Sequence, residues 1–197
     1  MEETANFIND IADKAIQWQH PGGKLIEEGP DALTREELLA ILIGTGYAGR
    51  TAQDIAKDFF FEFYSFYGLL GKTPADLLKI KGLKQGKIKR IAAAYEITKR
   101  IIKENKWNLP AVKKITLELP SLSDAELLAV LIGSGYKNKT PIALAEEVLK
   151  TYSSLSGIMG KKLSDIAKIE GLGDVKVVRI AAAYEIVRRV VKILEAE

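Results

Sequence analysis

The feature that most constrains the fold of this chain is an internal repeat. When the 197-residue sequence is shifted by 89 positions, residues 18–103 align with residues 107–192 without a gap, and 36 of the 86 aligned pairs are identical. The octet Arg-Ile-Ala-Ala-Ala-Tyr-Glu-Ile at 90–97 recurs unchanged at 179–186. Chance does not produce such agreement, so we interpret the chain as a tandem duplication of a unit of about 85 residues, a workable size for a small domain.

The repeat also predicts how the chain divides into segments. Apolar residues at helical spacing, among them Phe7, Ile8 and Ile11, indicate an amphipathic helix before the first copy. The residues between the copies include Pro110 and Pro120 and lack helical periodicity, which indicates an ordered linker. The predicted segments are an N-terminal helix at 1–20, a first unit at 21–104, a linker at 105–120 and a second unit at 121–197.

Every periodic segment inside the two units is typical of helix. Thr34 and Ser123 are each followed three residues later by a glutamate, which is the spacing of a capping box at the start of a helix. Thr51 and Thr140 are suitable N-caps for the next helix of each unit. The predicted fold class is therefore all-α, and the recurring octet is expected to reflect shared packing of the last helix.

The composition excludes several classes of protein. The chain has no cysteine and only one histidine, His20, which excludes disulfide scaffolds, thiolate metal sites, cysteine nucleophiles, His-rich zinc sites and Ser-His-Asp triads. No apolar run approaches the roughly 20 residues that span a bilayer. The net charge of +3 is too small to identify a polyanionic partner by itself. We expect a cytoplasmic protein with no membrane contact, no catalytic residues, no metal and no cofactor.

The most informative segment surrounds Gly171-Leu172-Gly173. Gly171 permits a positive φ, Leu172 is expected to plug into the core, and Gly173 leaves room for another backbone to approach. The N–H groups at the start of the following helix then point outward, with the helix dipole behind them. Lys176 and Arg179 add positive charge on that helix, so the segment is suited to binding a phosphate.

This pattern resembles the helix-hairpin-helix motif, which grips nucleic-acid phosphates without reading bases. The first unit departs from it, because Lys84 replaces the second glycine, and its hairpin is expected to bind phosphate by charge instead. The Gly-x-Gly turns near the start of each unit resemble degenerate hairpins of the same kind. The candidate DNA-binding residues are Gly82, Lys84, Gly86, Lys87, Arg90, Gly171, Leu172, Gly173, Lys176 and Arg179, together with Gly44, Gly46, Arg50, Gly133, Gly135 and Lys139.

A longer run resembles one family more specifically. The pattern from Pro21 through Glu37-Leu-Leu-Ala to Gly44-Thr-Gly46, with Leu-x-x-Ile-Lys-Gly-Leu at 77–83, is similar to the N-terminal domain of the bacterial RadC family. The resemblance covers residues 21–104 and 121–192 and implies two tandem helix-hairpin-helix units. In that family a C-terminal JAB/MPN domain binds metal through a His-x-His pair and an aspartate. This sequence lacks those histidines, so we expect no metallohydrolase activity.

Two functions are compatible with these observations. The first is a non-enzymatic, sequence-independent DNA-binding protein linked to DNA repair or recombination, with the choice among duplex, single-stranded and branched DNA left open. The alternative is a protein–protein interaction module on the same scaffold, which recruits a partner or forms a homodimer. Its surface would come from the aromatic cluster at 59–67, which we expect to be mostly core with one exposed edge.

Overall fold

A computed structural model describes residues 20–116, 119 and 121–196 of the chain, and among these residues it contains no β-strand. The helical prediction for 1–20 lies outside the described residues, except for His20. The all-α prediction is confirmed. The helices of the first unit are α1 (Pro21–Glu28), α2 (Arg35–Ile43), α3 (Ala52–Phe63), α4 (Pro74–Leu78) and α5 (Gln85–Glu104). Those of the second unit are α6 (Asp124–Ile132), α7 (Pro141–Tyr152), α8 (Leu163–Ile166) and α9 (Asp174–Glu195).

The capping boxes predicted for α2 and α6 are present. The Thr34 hydroxyl accepts a hydrogen bond from the Glu37 amide at 3.1 Å, and the Glu37 carboxylate accepts one from the Thr34 amide at 2.8 Å. Ser123 and Glu126 repeat both contacts at 3.2 and 2.7 Å. Caps of this kind typically contribute about 1 kcal/mol to helix stability. Both helices begin directly after the N-cap residue that the sequence predicts.

The tyrosine of the recurring octet takes part in the packing of both long helices, α5 and α9, as expected. Tyr95 and Tyr184 are buried, and their hydroxyls donate to the backbone carbonyls of Phe66 at 2.6 Å and Leu155 at 2.8 Å. Each tyrosine thereby ties its long helix to the short turn that follows α3 or α7. A buried phenol needs such a partner, which explains why a tyrosine occupies this position in both units.

The two units pack on each other through reciprocal contacts. α9 of the second unit lies against α2 of the first, α5 of the first lies against α6 of the second, and α5 and α9 pack together. Arg100 on α5 donates to the Leu122 carbonyl at 2.5 Å, just before α6. Arg189, 89 positions later on α9, donates to the Leu33 carbonyl at 2.8 Å, just before α2. Each long helix therefore holds the start of the other unit's first capped helix.

The linker is fixed to the first unit by hydrogen bonds of its backbone and of a side chain. It forms a 3₁₀ turn at Pro110–Lys114, which the sequence periodicity did not predict. The Lys114 carbonyl accepts from the Gly71 amide at 2.6 Å, and the Thr116 hydroxyl donates to the Lys72 carbonyl at 2.8 Å. In the part of the chain that the structure describes, no helix is both long and apolar enough to cross a bilayer.

Candidate nucleic-acid interface

The two predicted hairpins join α4 to α5 and α8 to α9. Gly171 adopts the predicted positive φ, at +98°, Gly82 does the same at +97°, and the leucines that follow them are buried. A Cβ on Gly82 would lie 2.4 Å from a ring carbon of Tyr47, and one on Gly171 would lie 2.9 Å from the Tyr136 Cβ. These glycines are therefore required by the turn itself and by its packing on the tyrosine of the same unit.

The helices after the hairpins begin without a side-chain cap. Lys84 precedes α5 and Gly173 precedes α9, both in extended conformation, and neither accepts an amide hydrogen bond through a side chain. By contrast, a threonine or serine hydroxyl caps α2, α3, α6 and α7. The Lys87 and Lys176 amides donate to the carbonyls of Lys84 and Gly173, both at 2.9 Å, so the N–H groups available to an outside acceptor are those of the first two residues of α5 and α9. A Cβ on Gly173 would meet no atom within 4 Å, so the space beside it is open.

Two cations on α5 point inward and donate hydrogen bonds to backbone carbonyls at and just after the C-terminal end of α2 in the same unit. The Lys87 ammonium donates to the Thr45 carbonyl at 2.6 Å, and the Arg90 guanidinium donates to the Ile43 carbonyl at 2.7 Å. Thr45 and Ile43 belong to the C-terminal end of α2 and the turn behind it. The structure therefore gives these predicted phosphate ligands a second, intramolecular role that the sequence analysis missed.

The second unit repeats this arrangement. Lys176 donates to the carbonyls of Gly135 at 2.9 Å and Gly171 at 2.8 Å, while Arg179 donates to the Leu131 carbonyl at 2.9 Å. The lysine and the arginine lie three residues apart on one face of each long helix. The same lysine–arginine pair occurs in both units, and in both units the helix that it contacts ends at a glycine. This recurrence was the one signal in the sequence that could have predicted the contact.

None of these four cations is neutralised by an acid in the described part of the chain. Lys87, Arg90, Lys176 and Arg179 have no carboxylate oxygen within 4.0 Å there. Burial lowers the pKa of Lys87, and the charges of Arg90 and Lys84 lower it further. Burial likewise lowers the pKa of Arg90 and of Arg179. Helices α5 and α9 thus carry positive charge that no carboxylate of the described residues neutralises.

The Gly-x-Gly turns are tightly packed loops. A Cβ on Gly46 would lie 1.7 Å from the Arg50 carbonyl oxygen, and one on Gly135 would lie 2.3 Å from that of Lys139. Gly44 and Gly133 end α2 and α6 with φ of +81° and +79°. The glycines at these turns are accounted for by backbone packing, without a bound phosphate.

Arg50 and Lys139, predicted as further phosphate ligands, are paired with acids. Arg50 contacts the Asp58 carboxylate at 2.6 Å and Lys139 contacts Glu147 at 2.7 Å, and hydrogen bonds to these carboxylates raise the pKa of both bases. Arg50 and Lys139 therefore differ from the α5 and α9 cations named above, which have no carboxylate partner among the described residues. Glu170, an acid beside the second hairpin, is paired with Lys137 at 2.9 Å.

Comparison with known protein families decides the identity of the two units. The sequence profile of the UPF0758 N-terminal family matches twice, at residues 14–89 and at residues 108–178. The chain belongs to this family. Both matches contain the hairpin glycines and the helix that precedes them, so the expected resemblance to the RadC N-terminal domain holds at the level of the family.

UPF0758 proteins from several bacteria are similar to this chain. A protein from Clostridium beijerinckii is 31% identical over 148 residues, which cover 75% of this chain and 57% of the relative. Proteins from Pseudoalteromonas atlantica and Flavobacterium johnsoniae are 37% and 42% identical over 94 and 69 residues, covering 46% and 35% of this chain and 42% and 30% of the relatives. The chain thus spans from under a third to just over half of these UPF0758 proteins. No solved structure matches it.

Proposed function

We propose that this UPF0758 chain is a non-enzymatic DNA-binding protein that contacts backbone phosphates without reading sequence. We further propose that its two units arose by tandem duplication of the family's N-terminal region. The observation that carries the proposal is the set of cations Lys87, Arg90, Lys176 and Arg179, which have no carboxylate partner in the described chain and lie just behind two uncapped helix starts.

In this proposal a phosphate is bound by positively charged side chains and by hydrogen bonds from backbone amides. A phosphate at the start of α5 or α9 would accept hydrogen bonds from first-turn N–H groups that have no intrahelical partner. Lys84, which is exposed, would add a flexible charge at the first hairpin, and Gly173 would admit a phosphate closely at the second. Contacts of this kind fix the position of the backbone and carry no sequence information, so no base preference is expected.

The test is fluorescence anisotropy with labelled duplex, single-stranded and branched DNA over a range of salt concentrations. Binding should weaken with salt, with a log–log slope of about −0.9 per phosphate contact on duplex. Lys84→Glu combined with Gly173→Glu should abolish binding, because both changes place a carboxylate at an uncapped helix start. Salt-insensitive binding, or binding unchanged in this variant, would contradict the proposal. Preference for branched DNA would support a role in repair or recombination.

One observation favours the alternative, a protein-interaction module. Phe61 and Tyr64 at the end of α3 are 83% and 79% exposed, whereas the other aromatic residues in 59–66 are buried. The aligned positions in the second unit carry Lys150 and Ser153, so the fold does not require aromatic residues there. Exposed aromatic pairs commonly mark protein contacts, and this edge is where a partner or a second copy would dock.

A further inference from the structure

A groove of about 520 Å³ lies at the boundary between the two units. The first unit contributes Gly44, Thr45 and Gln53, and the second contributes Val178 and Arg179. Because α9 packs against α2, the groove is formed only when the two units are assembled. Its lining therefore includes the Gly-x-Gly turn of the first unit and α9, the helix that follows the hairpin of the second unit.

Unneutralised cations from both units meet at this groove. Arg179 lines the groove, and Arg90 lies next to the lining residue Gly44, since a Cβ on Gly44 would be 3.5 Å from an Arg90 guanidinium nitrogen. The pKa of Arg90 is lowered first by burial and then by the charge of Arg179, so the charge of Arg179 acts on Arg90 across the unit boundary. Lys87, bonded to the Thr45 carbonyl, adds a third positive charge at the same edge.

We infer that this groove binds a run of DNA backbone, so that both units act on one DNA segment as a single composite site. The inference rests on the proposed DNA-binding function and specifies how the two units share the ligand. A sugar–phosphate backbone alternates charged phosphates with apolar deoxyribose faces. The groove offers the matching surfaces, since the cations lie beside apolar side chains of Ile41, Ala52 and Val178.

A second groove between the units has a different charge pattern. It lies between Pro30 and the turn at 158–162, and the Arg188 guanidinium at its wall is paired with both Asp31 and Glu185. Its other cations, Lys161 and Lys162, belong to the same unit as Arg188, and the first unit contributes only Pro30 and Asp31. Of these two grooves, the first is the one that brings together cations from both units.

The experiment compares Gln53→Glu with Asn108→Asp in the full chain, using anisotropy with a labelled duplex at low salt. Both changes convert an amide to a carboxylate of the same shape, but Gln53 lines the groove and Asn108 is an exposed linker residue. Gln53 lies in the first turn of α3, where an acid is favourable to the helix, so the variant should fold normally. Gln53→Glu should weaken duplex binding by about five-fold or more, and the deficit should shrink as salt rises.

Each outcome decides a separate point. If the unmodified chain binds DNA and the two variants weaken it equally, the groove inference is overturned while the proposed function stands. If one chain saturates with two short duplexes, the units bind independently and the composite site is wrong. If the unmodified chain binds no DNA at low salt, the proposed function fails and the inference fails with it. One duplex per chain, with a selective loss in Gln53→Glu, supports both.

Discussion

Arg90 and Arg179, 89 positions apart, each close the C-terminal end of a helix in their own unit. Arg90 donates to the last carbonyl of α2, that of Ile43, at 2.7 Å, and Arg179 donates to the Leu131 carbonyl of α6 at 2.9 Å. The C-terminal end of a helix carries partial negative charge, which stabilises a guanidinium there without a carboxylate. The fold can therefore hold two arginines close together and still leave their net charge available to an anion.

Removing either arginine should destabilise the protein. We expect Arg90→Ala and Arg179→Ala each to lower the free energy of unfolding by about 1–3 kcal/mol, because half-buried helix-end carbonyls lose a charged donor. Urea unfolding followed by circular dichroism measures the change. Lys89→Ala, at an exposed position on the same helix, is the control and should shift stability by less than about 0.5 kcal/mol. Equal stability of all three variants would show that the helix-end contacts contribute nothing.

The hairpin glycines should divide into two groups by their effect on stability. Gly82→Ala and Gly171→Ala should each cost about 1–3 kcal/mol, since φ is near +97° and a methyl group would contact the tyrosine of the same unit. Gly86→Ala should instead stabilise the protein by about 0.5–1 kcal/mol, because Gly86 is helical and its added methyl group would meet open space. Thermal unfolding of the three variants tests this order, and a destabilised Gly86→Ala would contradict it.

Gly173→Ala separates DNA binding from folding. The residue has φ of −73° and open space around it, so alanine should leave the unfolding temperature unchanged within the error of the measurement. If a phosphate approaches the start of α9 closely, the added methyl group should weaken duplex binding by about three- to ten-fold. Unchanged affinity in this variant would place the phosphate elsewhere, with Lys84→Ala at the aligned position serving to measure the first hairpin separately.

The sequence alone was sufficient for the features that depend on local chemistry. The threonine and serine caps, the positive φ at Gly171 and the burial of Leu172 follow from spacing and residue type, and the structure confirms them. The inward contacts of Lys87 and Arg90 were missed, because the recurrence of these two cations in both units marks their positions but does not show which distant carbonyls they reach. The groove between the units had no sequence signal either, since it depends on how α9 packs against α2.

The exposed aromatic edge can be replaced with the residues that the second unit uses. Phe61→Lys combined with Tyr64→Ser copies Lys150 and Ser153, which the same fold accommodates, so stability should change by less than about 0.5 kcal/mol. Tyr64 and Ser153 share a positive φ, at +62° and +69°, so the backbone is preserved. If the chain self-associates through this edge, sedimentation velocity should show the variant as a monomer while DNA binding is retained. An unchanged sedimentation coefficient in a self-associating chain would exclude the edge.

The buried carboxylate of Glu185 should make stability depend on acidity. Burial raises its pKa, but hydrogen bonds from Arg188 and Arg189 outweigh this and leave the pKa below the ordinary value of 4.5. A group whose pKa is lower in the folded state stabilises the fold above pH 4.5 and loses that contribution as the pH falls through its folded-state pKa. Urea midpoints measured from pH 7 to pH 3 should therefore fall in the unmodified chain, and Glu185→Gln should start lower and fall less steeply. Glu146→Gln, at an exposed position on α7, should follow the unmodified chain. Parallel curves for the unmodified chain and Glu185→Gln would show that the ion pairs of Glu185 are not the source of the acid sensitivity.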